Sequence, residues 1–158
     1  MLINILILLI TFIAMEGVTW FTHKYIMHGF LWILHEDHHD HRKRIHPVFE
    51  KNDLFFLMFA FPSMGMIYIG LNNVEYSYLL FIGVGVAMYG LAYFLVHEVI
   101  IHERFKYFSN IDNVYLRALR KAHKVHHKHL GKEDGECFGM LLVPKKFFIE
   151  AYRSKQKK

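Results

Sequence analysis

The chain has a single cysteine, Cys137, among 158 residues. That excludes an intramolecular disulfide framework and a cysteine-ligated iron–sulfur cluster, and Cys137 reads as a small packing residue. There are three prolines and no Pro/Gly linker or low-complexity stretch, so residues 1–158 read as one domain. Charged residues make up 21%. The first 22 residues contain no Lys or Arg, and neither does the segment 72–75. No dinucleotide or flavin fingerprint is present, and the length leaves no room for a haem domain.

What is abundant is apolar and aromatic: 54% and 16% of the chain, gathered in long blocks that indicate a membrane class. About 20 apolar helical residues cross a bilayer core. Three stretches qualify: 2–21, 54–71 with a kink expected at Pro62, and 76–96, where Gly83, Gly85 and Gly90 allow close helix packing. Asn72 and Asn73 make the turn between the last two. The first stretch lacks the basic leader and small-residue cleavage site of a signal peptide, so it reads as a retained span. All 19 cations then fall on one side, five between spans one and two and fourteen after span three. The positive-inside rule makes that side cytoplasmic and puts the N-terminus outside. The net charge of +5 is thus assigned to anionic lipids and an acidic partner rather than to nucleic acid. The basic tail 144–158 is expected on the membrane surface or loosely ordered.

Thirteen histidines are present, and ten form four boxes: His23 and His28; His35, His38 and His39; His97 and His102; His123, His126 and His127. All four lie on the cation-rich side, near the ends of spans one and three. Positions i, i+3 and i+4 share a helix face, so each triplet is expected to present three imidazoles to one point. The pairs are five residues apart and diverge by about 140° on an ideal helix; they converge only if the helix is distorted or the metals sit between helices. The pair-then-triplet order occurs twice, suggesting two half-sites around a shared centre. Ten imidazoles give about five per metal for two metals. Imidazole alone does not choose among Zn, Cu, Fe and Ni, but a redox role excludes zinc. His41, His46 and His129 are read as non-ligands, with His129 the first to reconsider. Glu36, Asp37, Glu98 and Glu103 are candidate acceptors for the outer ring N–H of bound histidines. Trp20, Phe21, Tyr93 and Phe94 either line a substrate groove or, the favoured reading, face lipid. Glu16, inside the first span, is expected to face the bundle interior and is assigned no catalytic role.

The strings HKYIMH, HEDHH, HEVIIH and HKVHH resemble the histidine boxes of the membrane di-iron enzymes of the fatty acid hydroxylase and sterol desaturase superfamily. GFLWILHEDHH at 29–39, AHKVHH at 122–127 and FGMLLVPKKF at 138–147 resemble its carotene-hydroxylating branch. The resemblance implies an all-α integral membrane bundle with a cytoplasmic-side histidine-rich metal site. It implies that His23, His28, His35, His38, His39, His97, His102, His123, His126 and His127 hold two non-haem iron ions, with O2 as co-substrate. The implied reaction is hydroxylation of the β-ionone rings of a carotenoid taken from the lipid phase, β-carotene passing through β-cryptoxanthin to zeaxanthin. Electrons would come from a partner such as reduced ferredoxin. The alternatives are a fatty acyl or sterol hydroxylase with the same site, a membrane metal transporter, and a zinc-dependent enzyme.

Overall fold

The computed structural model describes residues 1–43, 45–46, 49–104 and 113–156. The cations Arg44, Lys106, Lys157 and Lys158, and the side chain of His41, lie outside them. Among the described residues every regular element is helical. Helix α1 (Leu2–Phe21) passes directly into a π-helical segment, Thr22–Phe30, which bends at Gly29 and leads into α2 (Trp32–His39). Helix α3 (Leu54–Asn72) carries Pro62 inside an uninterrupted run. A 3₁₀ turn, Val74–Tyr76, leads to α4 (Tyr78–Tyr93), which continues as a second π-helical segment, Phe94–Ile101. Helices α5 (Val114–His126) and α6 (Lys145–Gln156) complete the chain.

Three helical runs are long and apolar enough to cross a membrane: Leu2–Phe30, Lys51–Asn72 and Tyr78–Ile101. Their outer faces carry exposed side chains such as Ile10, Ile13, Phe56, Phe61 and Leu91, which suits lipid rather than water. Helix α4 packs against both α1 and α3, and its glycines explain the approach. A β-carbon on Gly83 would stand 2.8 Å from the Ser63 carbonyl, and one on Gly85 would stand 2.9 Å from the Leu8 carbonyl. Gly90, expected to serve the same purpose, faces open space. The Ser63 hydroxyl donates to the Gly83 carbonyl at 2.8 Å, satisfying a polar group where no water is at hand.

At the other end of the bundle α5 and α6 pair through Ala118, Ala122, Phe147 and Ala151. Small residues on α5 let the Phe147 ring seat fully, a burial worth about 2–3 kcal/mol. The segment before α6 is tied back to α1 by Glu16. Its carboxylate accepts the backbone N–H groups of Met140, Leu141 and Leu142 at 2.9–3.1 Å and the Tyr89 hydroxyl at 2.5 Å. The chain's last third is thereby fixed over the ends of α1 and α4, where the histidines lie.

Candidate metal centre

His23 and His28 sit in the first π-helical segment, and His97 in the second, which His102 caps. A π turn closes its hydrogen bond over five residues, so positions i and i+5 come to lie one above the other. The His102 N–H donates to the His97 carbonyl at 2.9 Å, and the Leu31 N–H to the Ile26 carbonyl at 3.0 Å. The distortion that the five-residue spacing requires is therefore built into both helices. As a result the His23 and His28 ring centroids are 5.2 Å apart, and those of His97 and His102 are 4.5 Å apart.

The triplets behave differently from the expectation that each would converge on one point. Two groups of ring nitrogens form, each with all its members within 4.8 Å of one another: His23, His28, His35, His39 and His126 in the first, and His38, His102, His123 and His127 in the second. Each triplet is split between them. Helix phase gives the reason. At about 100° per residue, i and i+4 lie about 40° apart, while i+3 lies about 100° from i+4. The i, i+4 pairs His35/His39 and His123/His127 stay together, and the i+3 rings of His38 and His126 turn to the opposite group. His97 adjoins the second group, its ring centroid 4.5 Å from His102, 4.7 Å from His123 and 4.9 Å from His38. The groups meet where the His39 and His127 rings stack at 4.4 Å.

What lies behind each ring fixes its tautomer. The Nδ1–H of His23 donates to the Phe138 carbonyl, His28 to Lys132, His39 to His129 and His126 to Glu136, at 2.7–3.1 Å. His35 donates to the Asn52 side-chain oxygen at 2.7 Å. His38 donates to Glu50 at 2.6 Å and His97 to Glu98 at 2.7 Å. An oxygen of this kind can only accept, so Nδ1 keeps the proton and Nε2 keeps a bare lone pair. Burial holds His35, His38, His123 and His127 below the ordinary histidine range, His39 at about 4 and His126 at about 3. These rings are neutral at pH 7.

The consequence is an arrangement that needs a cation. Nε2 of His23 lies 3.1 Å from Nε2 of His35, and Nε2 of His28 lies 3.3 Å from Nε2 of His126. No proton is available to sit between either pair. Among the described residues, the buried Nε2 atoms of His39 and His127 have no hydrogen-bond partner. Two nitrogens held by one ion at about 2.1 Å, roughly 90–110° apart, stand about 3.0–3.4 Å from each other. The donor set therefore fits a metal ion in each group.

Of the carboxylates expected behind the histidines, Glu98 is seen, among the described residues, to accept a ring N–H, that of His97. Glu36 pairs with Lys43 at 2.9 Å, Asp37 accepts the Lys51 backbone N–H, and Glu103 faces Arg120 at 3.9 Å. The acceptors that sequence reading missed are Glu50 and Asn52, delivered by the 3₁₀ turn Lys51–Asp53, and the four carbonyls of the segment 129–138. His129 takes part through its backbone, while the His46 ring accepts the Phe49 N–H. Trp20 and Phe21 are exposed, as lipid-facing residues would be, and Tyr93 packs its ring 4.9 Å from His97. The first group is covered by Phe138, 5.1–5.4 Å from His23, His28 and His126, and by Trp32, 5.1–5.8 Å from His28, His35 and His39.

Residues 8–144 match the fatty acid hydroxylase family. The chain is 42% identical to a beta-carotene hydroxylase of Pseudescherichia vulneris over 96% of its own length and 83% of that protein. It is 41% identical to a beta-carotene hydroxylase of Pantoea ananas, covering 89% and 78%. It is 36% identical to the chloroplastic beta-carotene 3-hydroxylase 2 of Arabidopsis thaliana, covering 84% and 43%. No solved structure matches the chain.

Proposed function

This chain belongs to the fatty acid hydroxylase family, and we propose that it is a membrane oxygenase that hydroxylates the β-ionone rings of a carotenoid. The observation that carries this reading is the pair of interlocked histidine groups whose proton-free Nε2 atoms face one another, in a chain whose bacterial relatives at 41–42% identity are named beta-carotene hydroxylases. All ten box histidines are proposed to hold the metal, with His97 the one that adjoins its group rather than falling within it.

Iron, two ions in all, would supply O2 activation and the oxidation of an unactivated C–H bond. Each turnover consumes one O2, two electrons and two protons, placing one oxygen atom on the substrate and releasing the other as water. The protein's part is placement. Carbonyl, amide and carboxylate oxygens hold the Nδ1 protons of His23, His28, His35, His38, His39, His97 and His126 outward and their Nε2 lone pairs inward. Phe138 and Trp32 screen the first group from water. A carotenoid is comparable in length to the ~30 Å hydrocarbon layer, so its ring can reach the span ends while the polyene stays in lipid.

The cation asymmetry supports a cytoplasmic site in the inner membrane, with the N-terminus outside. An acidic donor such as reduced ferredoxin suits that basic face. The rate of its electron delivery is expected to fall as salt rises, and a rate indifferent to ionic strength would remove electrostatic docking.

The test of the activity is pigment analysis in cells that accumulate β-carotene. New zeaxanthin is expected with the wild-type gene and its loss, by about 100-fold or more, with His126→Ala. Unchanged β-carotene beside expressed, iron-loaded protein would move the substrate to an acyl chain or a sterol. Zinc in place of iron would overturn the oxygenase reading altogether.

A further inference from the structure

We infer that the two metal positions are electrostatically unequal: among the described residues, the second has carboxylates behind His38 and the adjoining His97 that Arg104 joins into one chain, while every ring of the first has a neutral oxygen behind it, so the second binds a divalent ion more tightly. This deepens the two-metal reading above and rests on it.

Every ring of the first group leans on a neutral acceptor. Four use backbone carbonyls, and His35 uses the Asn52 amide oxygen. Beside the second group the acceptors are acids. Glu50 gives Oε2 to His38 and turns Oε1 toward Arg104, 3.8 Å from its guanidinium. Glu98 gives Oε1 to His97 and Oε2 to Arg104, at 3.2 Å. Asp53 also meets Arg104, at 3.2 Å. Arg104 thus closes a continuous run, His38–Glu50–Arg104–Glu98–His97, and draws the other oxygen of each carboxylate away from the imidazoles.

Among the described residues one guanidinium, that of Arg104, faces the three carboxylates of Glu50, Asp53 and Glu98. The Glu50 and Glu98 side chains are only 4% and 9% exposed, and charge at that depth is little screened by solvent or salt. A carboxylate draws on the Nδ1 proton harder than a carbonyl does and raises the basicity of the ring's other nitrogen. Arg104 is therefore a positioning residue for the second position, acting through Glu50 and Glu98.

The experiment is anaerobic titration of the full-length, detergent-solubilised protein, stripped by chelator, with Co(II) as a spectroscopic probe that suits imidazole. Two binding steps separated by about tenfold or more are expected. Glu50→Gln and Glu98→Gln should each weaken the tighter step by about 10–100-fold and leave the weaker one in place. Asn52→Asp places a carboxylate behind His35 and should tighten the weaker step, a gain that a merely damaged fold cannot produce. Two equal steps in the wild type, glutamine variants that weaken both steps alike, or an Asn52→Asp variant that tightens neither would overturn the inference while leaving two metals bound. Binding of one ion or none would overturn the two-metal reading and this inference with it.

Discussion

Glu16 is the only acid within α1, and it is buried with four donors on its two oxygens. It holds Met140, Leu141 and Leu142, two residues beyond the Phe138 carbonyl that orients His23. Glu16→Gln keeps the shape, and its amide oxygen can still take the three backbone donors that Oε1 holds, but it loses the charge that strengthens those bonds and turns an NH2 group toward the Tyr89 hydroxyl, at a cost of about 1–3 kcal/mol. Thermal unfolding in detergent is expected to drop by roughly 5 °C, with a larger loss for Glu16→Ala and partial recovery in Glu16→Asp. A variant as stable as the wild type would mean the clasp contributes nothing. The sequence marked Glu16 as inward-facing because an acid in a span has few other places to go. Its partners were invisible, since any residue offers a backbone N–H. The same holds for the carbonyls behind His23, His28, His39 and His126. Glu50 and Asn52 lie 12 and 17 residues from the rings they serve, with no periodicity to connect them.

Among the elements, the three long helices were readable from length and apolar content and the boxes from spacing, whereas α6, packed on α5 through Phe147 and Ala151, falls on the tail expected on the membrane surface or loosely ordered. The π turns were legible only as a requirement: five-residue spacing demanded a distortion without naming it. The sharing of each triplet between groups follows from helix phase, but only once a second acceptor group is known to lie on the diverging side. The glycines of α4 give a test at this scale. Gly85→Ala must push against the Leu8 carbonyl and the Thr11 side chain, and Gly83→Ala against Ser63 and Ile67. Each is expected to cost about 1–3 kcal/mol. Gly90→Ala meets nothing within 4 Å and should match or slightly exceed the wild type. Comparing the three by thermal aggregation in one detergent checks the packing, and equal losses at all three positions would refute it.

For the whole molecule, the orientation proposed from the cation asymmetry can be measured through the lone thiol. Cys137 is half-buried, between the Glu136 carbonyl that holds His126 and the Phe138 ring that covers the first group. It therefore reports on the side of the membrane that carries the histidines. A membrane-impermeant maleimide is expected to label it in inverted vesicles and not in intact spheroplasts; the reverse would turn the protein over.

The split triplets also bear on how the protein is made. The first position needs His126 from the late part of the chain, and the second needs His38 from the early part. Neither is complete while residue 126 or 127 is still in the ribosome, and neither can be completed by one half of the protein alone. On the proposed two-metal reading, metal loading would be a late fastener between the early and the late part of the chain, taking place only after residue 127 has left the ribosome.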